Sequence, residues 1–423
     1  PQTTLEKRWI LVNNVRSRTV VMDSTKYLRI MAKISECFDI NFICLRIFGI
    51  MWPGRKSSKY YKYYAGIYLF LTLIVYNVLI MLNLYYTPRK IELMIREVVY
   101  IFAEVAATAK FSMIFLKQNS LVEAFRILDC EAFKGEDEFS RQIVKSHVAK
   151  YKVFWILNAF FSNTAFLIKT LIPIFKHVLF NGNIDLPIYN YYFLDQEVID
   201  QYFVLLWIYQ FIGILGHMMY NICIDSLIAG LILKAIAQIN VVDHELRNLK
   251  SEKNREGYGN IKLNKCLRHY EMLLNFTSVV QDIISVTMFV QFSVAAGSIC
   301  AILCSLLLPN TMGELTSLLP YMSMYAFAMI LQIFVPAYLG TQLSNRSQQL
   351  VSAAYNSEWI PRSGSFKSSL KLFMQRANTA ILLTGYGFFP LNLDTFTSIM
   401  KTAYSFFTLV RNVQDRDNSQ ETE

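Results

Sequence analysis

Long stretches of this chain contain only uncharged, mostly apolar side chains, and shorter polar stretches separate them. Four of them carry no charged residue: Tyr64–Tyr85, Tyr202–Ile224, Ser285–Leu308 and Leu315–Gly340. About 20 apolar residues are enough to cross the hydrocarbon core of a bilayer as a helix. A barrel would instead show segments of about ten residues with alternating polarity, which this sequence lacks. The pattern therefore predicts an all-α, polytopic membrane protein.

Three further stretches have the length of a membrane span but contain charged residues. They are Ile91–Leu116, Val153–Phe180 and Phe389–Val410, and they bring the predicted number of spans to seven. Composition agrees, because 54% of the 423 residues are hydrophobic and only 17% are charged, against about 25% charged residues in soluble proteins. No apolar stretch with a small-residue cleavage site is visible near the start, so we expect the first span itself to direct insertion.

Lysine and arginine alternate between the connections. In chain order the eight connections hold 12, 2, 7, 0, 7, 0, 5 and 2 of them. Positive connections stay in the cytoplasm, so we expect a cytoplasmic N-terminus and an extracellular C-terminus. The net charge of +10 is then explained by topology and gives no reason to expect a nucleic-acid partner. The orientation is the reverse of that of a G-protein-coupled receptor, so no G protein is expected.

Spans four, five and six continue as more polar helical patterns over Leu227–Leu249, Leu263–Val280 and Leu343–Trp359. We expect cytoplasmic extensions of spans four to seven that pack as a bundle, with independent surface helices as the alternative. Residues 360–368, PRSGSFKSS, read as a flexible linker. The predicted regions are a cytoplasmic N-terminal region at 1–63, spans one to six at 64–340, a cytoplasmic anchor helix and linker at 341–388, the seventh span at 389–413 and an extracellular tail at 414–423.

The seventh span carries a stripe of polar side chains. With about 100° per residue, they fall within about 40° of one line along the helix. The stripe consists of Asp394, Ser398, Lys401, Ser405, Thr408 and Asn412, opposite an apolar face of Phe396, Ile399, Ala403, Phe407 and Val410. Charges inside a membrane helix usually face a bundle interior or a water-filled path, and such a stripe in a ring of subunits can line a pore. The alternative is that it packs against other helices through Ser and Thr hydrogen bonds.

The C-terminal stretch FFPLNLDTFTSIMKTAYSFFTLVRN, together with seven spans and a cytoplasmic N-terminus, resembles the insect odorant receptors. Its segment TAYSFFTLVRN is similar to the signature of ligand-tuned subunits, particularly those of moths and butterflies. The co-receptor of the family has a longer loop between spans four and five. Gustatory receptors carry a Thr-Tyr…Gln-Phe pattern, whereas Ala403 separates Thr402 from Tyr404 here. A tuned subunit fits best, a gustatory-type channel subunit is the alternative, and a seven-span transporter is a more distant one.

The resemblance implies a tetrameric, non-selective cation channel that a volatile small molecule gates. A tuned subunit would assemble with the co-receptor in the lipid of the plasma membrane of olfactory sensory dendrites, without a cofactor. The resemblance places Leu409 near a hydrophobic gate, and Asn412 and Val413 near a narrow outer filter, so these join the polar stripe as expected pore-lining residues. It also implies a ligand pocket between spans two, three, four and six. Apolar ligands need aromatic walls, and the candidates by depth are Tyr100, Phe166, Trp207, Phe211, Tyr321 and Tyr325.

Charged residues in spans two and three invite pairing, because an unpaired charge in the membrane costs several kcal/mol. At 1.5 Å per residue, Lys176 and Glu97 lie about 6 and 9 Å from the outer ends of their spans, and Lys169 and Glu104 about 16 and 20 Å. We therefore expect two ion pairs, Lys176–Glu97 and Lys169–Glu104. The alternative is that Lys176 reaches the headgroups and only Lys169 needs a partner.

An enzyme would need clustered histidine, carboxylate, serine or cysteine side chains. His217 is the one histidine well inside a predicted span. No H-E-x-x-H motif or activated nucleophile accompanies it, so we expect neither a metal site nor enzymatic activity. A core histidine with satisfied hydrogen bonds is the expected reading of His217.

Overall fold

The structure is a computed structural model that describes residues 38–50, 58–135, 137–180, 186–249, 256–306 and 312–421. Within these ranges, the structure does not describe the side chains of some residues near helix ends, such as Lys176 and Val413. Most of the predicted region 1–63 therefore lies outside the described residues, whereas the predicted tail 414–423 continues the last helix as far as Glu421.

The described chain is almost wholly helical, which confirms the predicted all-α class. The helices are Asp39–Ile47, Lys59–Leu69, a π-helical segment Phe70–Val75, Tyr76–Tyr86, Ile91–Leu116, Gln118–Leu128, Glu131–Lys134, Glu138–Phe180, Gln196–Gln201, Phe203–Arg247, Glu256–Ser305, Met312–Tyr355, Gly364–Ala377 and Leu393–Glu421. Two short strands, Thr384–Gly385 and Phe389–Pro390, pair antiparallel. This hairpin lies just before the last helix.

Six helices in the described ranges are long and apolar enough to cross a membrane. We call them spans one to six: Lys59–Tyr86, Leu93–Leu116, Glu138–Leu171, Phe203–Arg247, Gly259–Ser305 and Leu319–Tyr355. The predicted seventh span corresponds to the last helix, Leu393–Glu421. This helix begins four residues later than the predicted start at Phe389, because Phe389 and Pro390 belong to the hairpin. The Asn392 side chain then accepts a hydrogen bond from the Thr395 N–H at 2.9 Å and caps the helix start.

Span four forms the centre of the bundle. Of its most apolar window, 94% is buried inside the chain, against 28% for span one. A helix that is apolar on every side is stable in this way only when other helices or lipid surround it. Spans two, three, five and six pack around span four, and span one keeps a large exposed apolar face.

The extensions of spans four, five and six share one hydrophobic core. Leu246, Leu273 and Leu350 are fully buried in it, together with Leu370 and Phe373 of the helix Gly364–Ala377. This packing confirms the predicted bundle over independent surface helices.

The flexible linker predicted at residues 360–368 is wrong. A helix begins at Gly364, inside that stretch. The Ser363 hydroxyl accepts a hydrogen bond from the Phe366 N–H at 3.4 Å, which is an N-cap. Phe366 is buried in the shared core. Serine and glycine here mark a helix start and not a disordered connection.

Candidate ligand cavity and pore helix

A cavity of about 130 Å³ lies between spans two, three, four and six. Its wall contains four aromatic rings, four alanines and seven polar or charged side chains. Ile188, from the segment before span four, also contributes to the wall. The cavity therefore combines apolar walls with several polar groups, as small-molecule sites commonly do.

The structure brings four of the six predicted pocket residues to this cavity: Tyr100, Phe166, Tyr321 and Tyr325. The other two lie one layer behind. The Phe211 ring packs against Phe166 with centroids 5.1 Å apart. Trp207 stacks on Phe211 at 5.2 Å. These two rings support the wall without lining it.

A histidine–glutamate pair lines the cavity. His217 Nδ1 is 2.7 Å from Glu104 Oε1 and 2.6 Å from Oε2, and both side chains are almost fully buried. His217 Nε2 lies 2.7 Å from the Thr72 carbonyl oxygen. A carbonyl can only accept, so Nε2 carries a hydrogen, and the contact between Nδ1 and the carboxylate requires one more proton. The pair therefore holds a net charge of zero, whichever of the two groups carries that proton.

This pairing corrects the predicted Lys169–Glu104 ion pair. The Lys169 ammonium instead lies 5.4 Å from the centroid of the Tyr321 ring, a cation–π geometry, and borders the same cavity. The prediction used depth along the helices, which leaves the rotation of each side chain around its axis undetermined. The Lys176 side chain lies outside the described residues, so Lys176–Glu97 stays a prediction. The buried Glu97 carboxylate has no hydrogen-bond partner in the described part of the chain.

A second buried charge cluster was missed by sequence reasoning. Lys110 Nζ lies 2.7 Å from Asp225 Oδ1, with side-chain exposures of 0% and 5%. The same ammonium donates to Asn221 Oδ1 at 2.8 Å and to Gln332 Oε1 at 3.4 Å. The cluster joins spans two, four and six beside the cavity, which Asn221 and Gln332 also line. One signal was available, because Asp225 directly follows the charge-free run that ends at Ile224.

Span one is fixed to span four at its π-helical segment. The Tyr209 hydroxyl donates to the Leu71 carbonyl at 2.8 Å, and His217 bonds to the neighbouring Thr72 carbonyl. Between these two contacts, Gly213 faces the Tyr76 ring so closely that a Cβ at this position would lie 2.6 Å from it. π-Helical turns inside helices are frequent at functional sites. Here the turn orients the histidine of the cavity.

The last helix packs by its apolar face and leaves its polar face exposed. Ala403 is 1% exposed, and the Phe396 ring packs edge-on against Phe334 of span six at 5.4 Å. Asp394, Ser398, Lys401, Ser405 and Asn412 are exposed, and Thr408 is half-buried. Leu409 is 59% exposed. The side chain of Val413 is not among those that the structure describes. Five of the six residues of the polar stripe are therefore left uncovered by the described part of this chain.

The hairpin and span six hold the start of the last helix. The Gln281 side-chain amide donates to the Thr384 carbonyl and accepts from the Thr384 N–H, each at 2.9 Å. The Leu393 N–H donates to Thr341 Oγ1 at 3.0 Å. Gly340 lies against the Leu391 carbonyl oxygen, where a Cβ would clash. These contacts fix the last helix relative to spans five and six.

The fold and the cavity define a multi-pass helical membrane protein with an internal site of small-molecule size. Comparison with known proteins gives the family. The family described as 7tm Odorant receptor matches residues 90–404, most of the chain. The chain therefore belongs to the 7tm odorant receptor family of insects, and the resemblance noted in the sequence is confirmed.

Individual relatives agree with this assignment. Odorant receptor 42a of Drosophila melanogaster is 25% identical over 229 residues, which cover 53% of this chain and 55% of that receptor. Odorant receptor 2a of the same species is 21% identical over 378 residues, 86% of this chain and 93% of the relative. The chain thus spans about half the length of the first relative and nearly all of the second.

A solved structure shares the fold. The olfactory receptor OR5 from Machilis hrabei, in complex with eugenol, superposes with a TM-score of 0.78 at 17% identity, covering 92% of this chain and 99% of that one. Because the identity is low, this likeness shows the architecture alone. The family is one of receptors and not of enzymes.

Proposed function

We propose that this chain is the odorant-binding subunit of a heteromeric, odorant-gated, non-selective cation channel. It would assemble with the co-receptor subunit in a tetramer in the plasma membrane of olfactory sensory dendrites. One observation carries the proposal. Span six lines the cavity with one part of its length, and a later part of the same helix contacts the last helix, whose polar stripe is exposed. The family assignment supports a receptor, and the geometry suggests how binding reaches a pore.

The cavity suits a small volatile ligand. A cavity of about 150 Å³ with apolar walls is known to accept a molecule of the size of benzene, and this one has a volume of about 130 Å³. Four aromatic side chains contribute to its wall. The related receptor from Machilis hrabei was solved in complex with eugenol, which supports a ligand site within this fold.

The last helix suits a pore lining. Its polar face is uncovered in the single chain, and a ring of subunits would place such faces around a common axis. Leu409 lies on the exposed side next to Thr408, so a small rotation of the helix would exchange an apolar for a polar side chain at one level. Lys401 is a positive charge on the same stripe. It would face the wide inner part of a cation path or an acidic neighbour.

Span six connects the two sites. Tyr321 and Tyr325 contribute to the cavity wall, whereas Phe334 and Thr341 contact the last helix at Phe396 and Leu393. A ligand that displaces the two tyrosines would therefore move a continuous helix that touches the pore helix. This coupling needs no contact between ligand and pore.

Electrical recording tests the proposal. Cells would express the chain with and without a co-receptor and would be exposed to an odorant panel. We expect odorant-evoked cation currents in the presence of the co-receptor. Ala328→Phe should abolish them, because Ala328 borders the cavity and a ring there would fill it. Ser323→Phe, at an exposed position of the same helix, is the control and should respond normally. Absence of current in both conditions, with surface expression confirmed, would overturn the proposal.

A further inference from the structure

Several hydrogen-bond donors at the cavity have no acceptor among the described residues. The Lys169 ammonium rests over the Tyr321 ring and pairs with no carboxylate in the described ranges. The Tyr100 and Tyr325 hydroxyls have no hydrogen-bond partner among the described residues, although Tyr100 is only 7% exposed. An ammonium has three donors and no acceptor, and a phenol is a good donor. Buried hydroxyls such as those of Tyr100 and Tyr325 are costly unless a partner satisfies them, and the half-buried Lys169 ammonium is also available to a ligand.

Most of the strong acceptors at the same cavity are already engaged. Glu104 Oε1 lies 2.7 Å from His217 Nδ1, and Oε2, against the same nitrogen, is the one cavity acceptor here without its own hydrogen-bond partner among the described residues. The amide oxygens of Asn221 and Gln332 accept from the Lys110 ammonium. The Thr170 hydroxyl donates to the Phe166 carbonyl of its own helix at 2.8 Å. The polar groups left for a ligand are therefore mainly donors.

The charge balance points the same way. The Lys110–Asp225 cluster and the His217–Glu104 pair are each neutral overall. Among the described residues that line the cavity, Lys169 is then the remaining cation, and the Glu97 carboxylate that attracts it is not part of the lining. A ligand with an ammonium group would meet a like charge, and a hydrocarbon would leave the donors unsatisfied. A neutral ligand with an oxygen acceptor avoids the charge repulsion and also satisfies the donors.

We infer that this cavity selects small odorants with an aromatic or short apolar body and one carbonyl oxygen, such as aldehydes, ketones and esters. The oxygen accepts hydrogen bonds from Lys169 and from a tyrosine hydroxyl, and the body packs against the aromatic wall. The inference rests on the proposed function, because it takes the cavity as the odorant site. It adds the functional group by which the ligand is recognised.

Three probes of one shape test the inference: benzaldehyde, toluene and benzylamine, which differ only in the group on the ring. Binding to purified receptor is measured by calorimetry, and currents are recorded in parallel with the co-receptor. We expect benzaldehyde to bind at least tenfold more tightly than toluene, which corresponds to about 1.4 kcal/mol, and benzylamine to bind weakest. Equal affinities for benzaldehyde and toluene, or no binding of any probe, would overturn the inference.

Substitutions identify the donors. Lys169→Met keeps most of the side-chain length and removes the ammonium, so it should erase the preference for benzaldehyde over toluene. Tyr325→Phe removes one hydroxyl and should reduce that preference severalfold, which provides a second variant if the first folds poorly. Lys152→Met, at an exposed position of the same helix, is the matched control and should keep the full preference. A preserved preference in both cavity variants would refute the assignment.

The two readouts separate this inference from the channel proposal. Selective benzaldehyde binding without any current would support the inference and contradict the channel. Currents that respond equally to benzaldehyde and toluene would support the channel and contradict the inference.

Discussion

The buried pair of Lys110 and Asp225 offers a sharp test of the packing. The two charges lie 2.7 Å apart, with side-chain exposures of 0% and 5%. At an effective dielectric constant of 20, their attraction is about 6 kcal/mol. Removing each ion from water costs several kcal/mol, so the intact pair contributes little net stability. The loss of one partner leaves the other charge buried and uncompensated.

We therefore expect Lys110→Met to lower the free energy of unfolding by about 3–5 kcal/mol. Asp225→Asn should also destabilise, but less, because Asn221 and Gln332 still accept from the ammonium. The double variant removes both charges and should be more stable than Lys110→Met alone. The difference from additivity measures the interaction between the two sites directly.

The assay is unfolding of the purified receptor in detergent, followed by circular dichroism during titration with a denaturing detergent. The Lys117–Asp282 pair provides a control, because its atoms are 2.6 Å apart but its side chains are 32% and 49% exposed. Lys117→Met should cost at most about 1 kcal/mol. If Lys110→Met costs no more than Lys117→Met, the reasoning about the buried charge is refuted.

Two further contrasts test individual contacts by the same titration. Glu104→Gln should stay within about 1 kcal/mol of the parent, because the new amide can donate to His217 Nδ1, whereas Glu104→Ala leaves that nitrogen unpaired and should cost about 1–3 kcal/mol. An equal loss in both variants would contradict the neutral pair. Gly213→Ala should cost about 1–3 kcal/mol by pressing a methyl group into the Tyr76 ring. Gly66→Ala, where a Cβ meets nothing within 4 Å, should be neutral or stabilise by up to about 1 kcal/mol; similar effects of the two would argue against the close contact.

Helical periodicity carried most of what the sequence predicted correctly. The spacing from Asp394 to Asn412 assigns one face of the last helix, and the structure leaves that face exposed while Ala403 and Phe396 pack inward. The extensions of spans four to six follow from more polar helical patterns that continue beyond the apolar runs. These features depend only on the local repeat of the α-helix, which neighbouring elements change little.

Side-chain partners across helices were harder to predict. Depth along a span placed Glu104 near Lys169 in height, but helix rotation turned it to His217. The sequence offers no partner for Lys110 in span two, because Asp225 lies 115 residues away and no local pattern links them. Trp207 and Phe211 have the right depth for the cavity and yet lie behind its wall. Rotation and packing order are properties of the assembled bundle, not of any one segment.

The measurement that tests the proposed channel most directly is the chemical accessibility of the last helix during odorant-evoked current. Cysteines would be introduced singly at Ser405, on the exposed polar face, and at Ala403, which is 1% exposed. The variants would be expressed with the co-receptor, and the parent receptor would give the baseline for native cysteines. A positively charged thiol reagent should block the current of Ser405→Cys and leave that of Ala403→Cys at the baseline. Equal responses of the two variants, or an unblocked current in Ser405→Cys, would contradict a pore lined by the polar stripe.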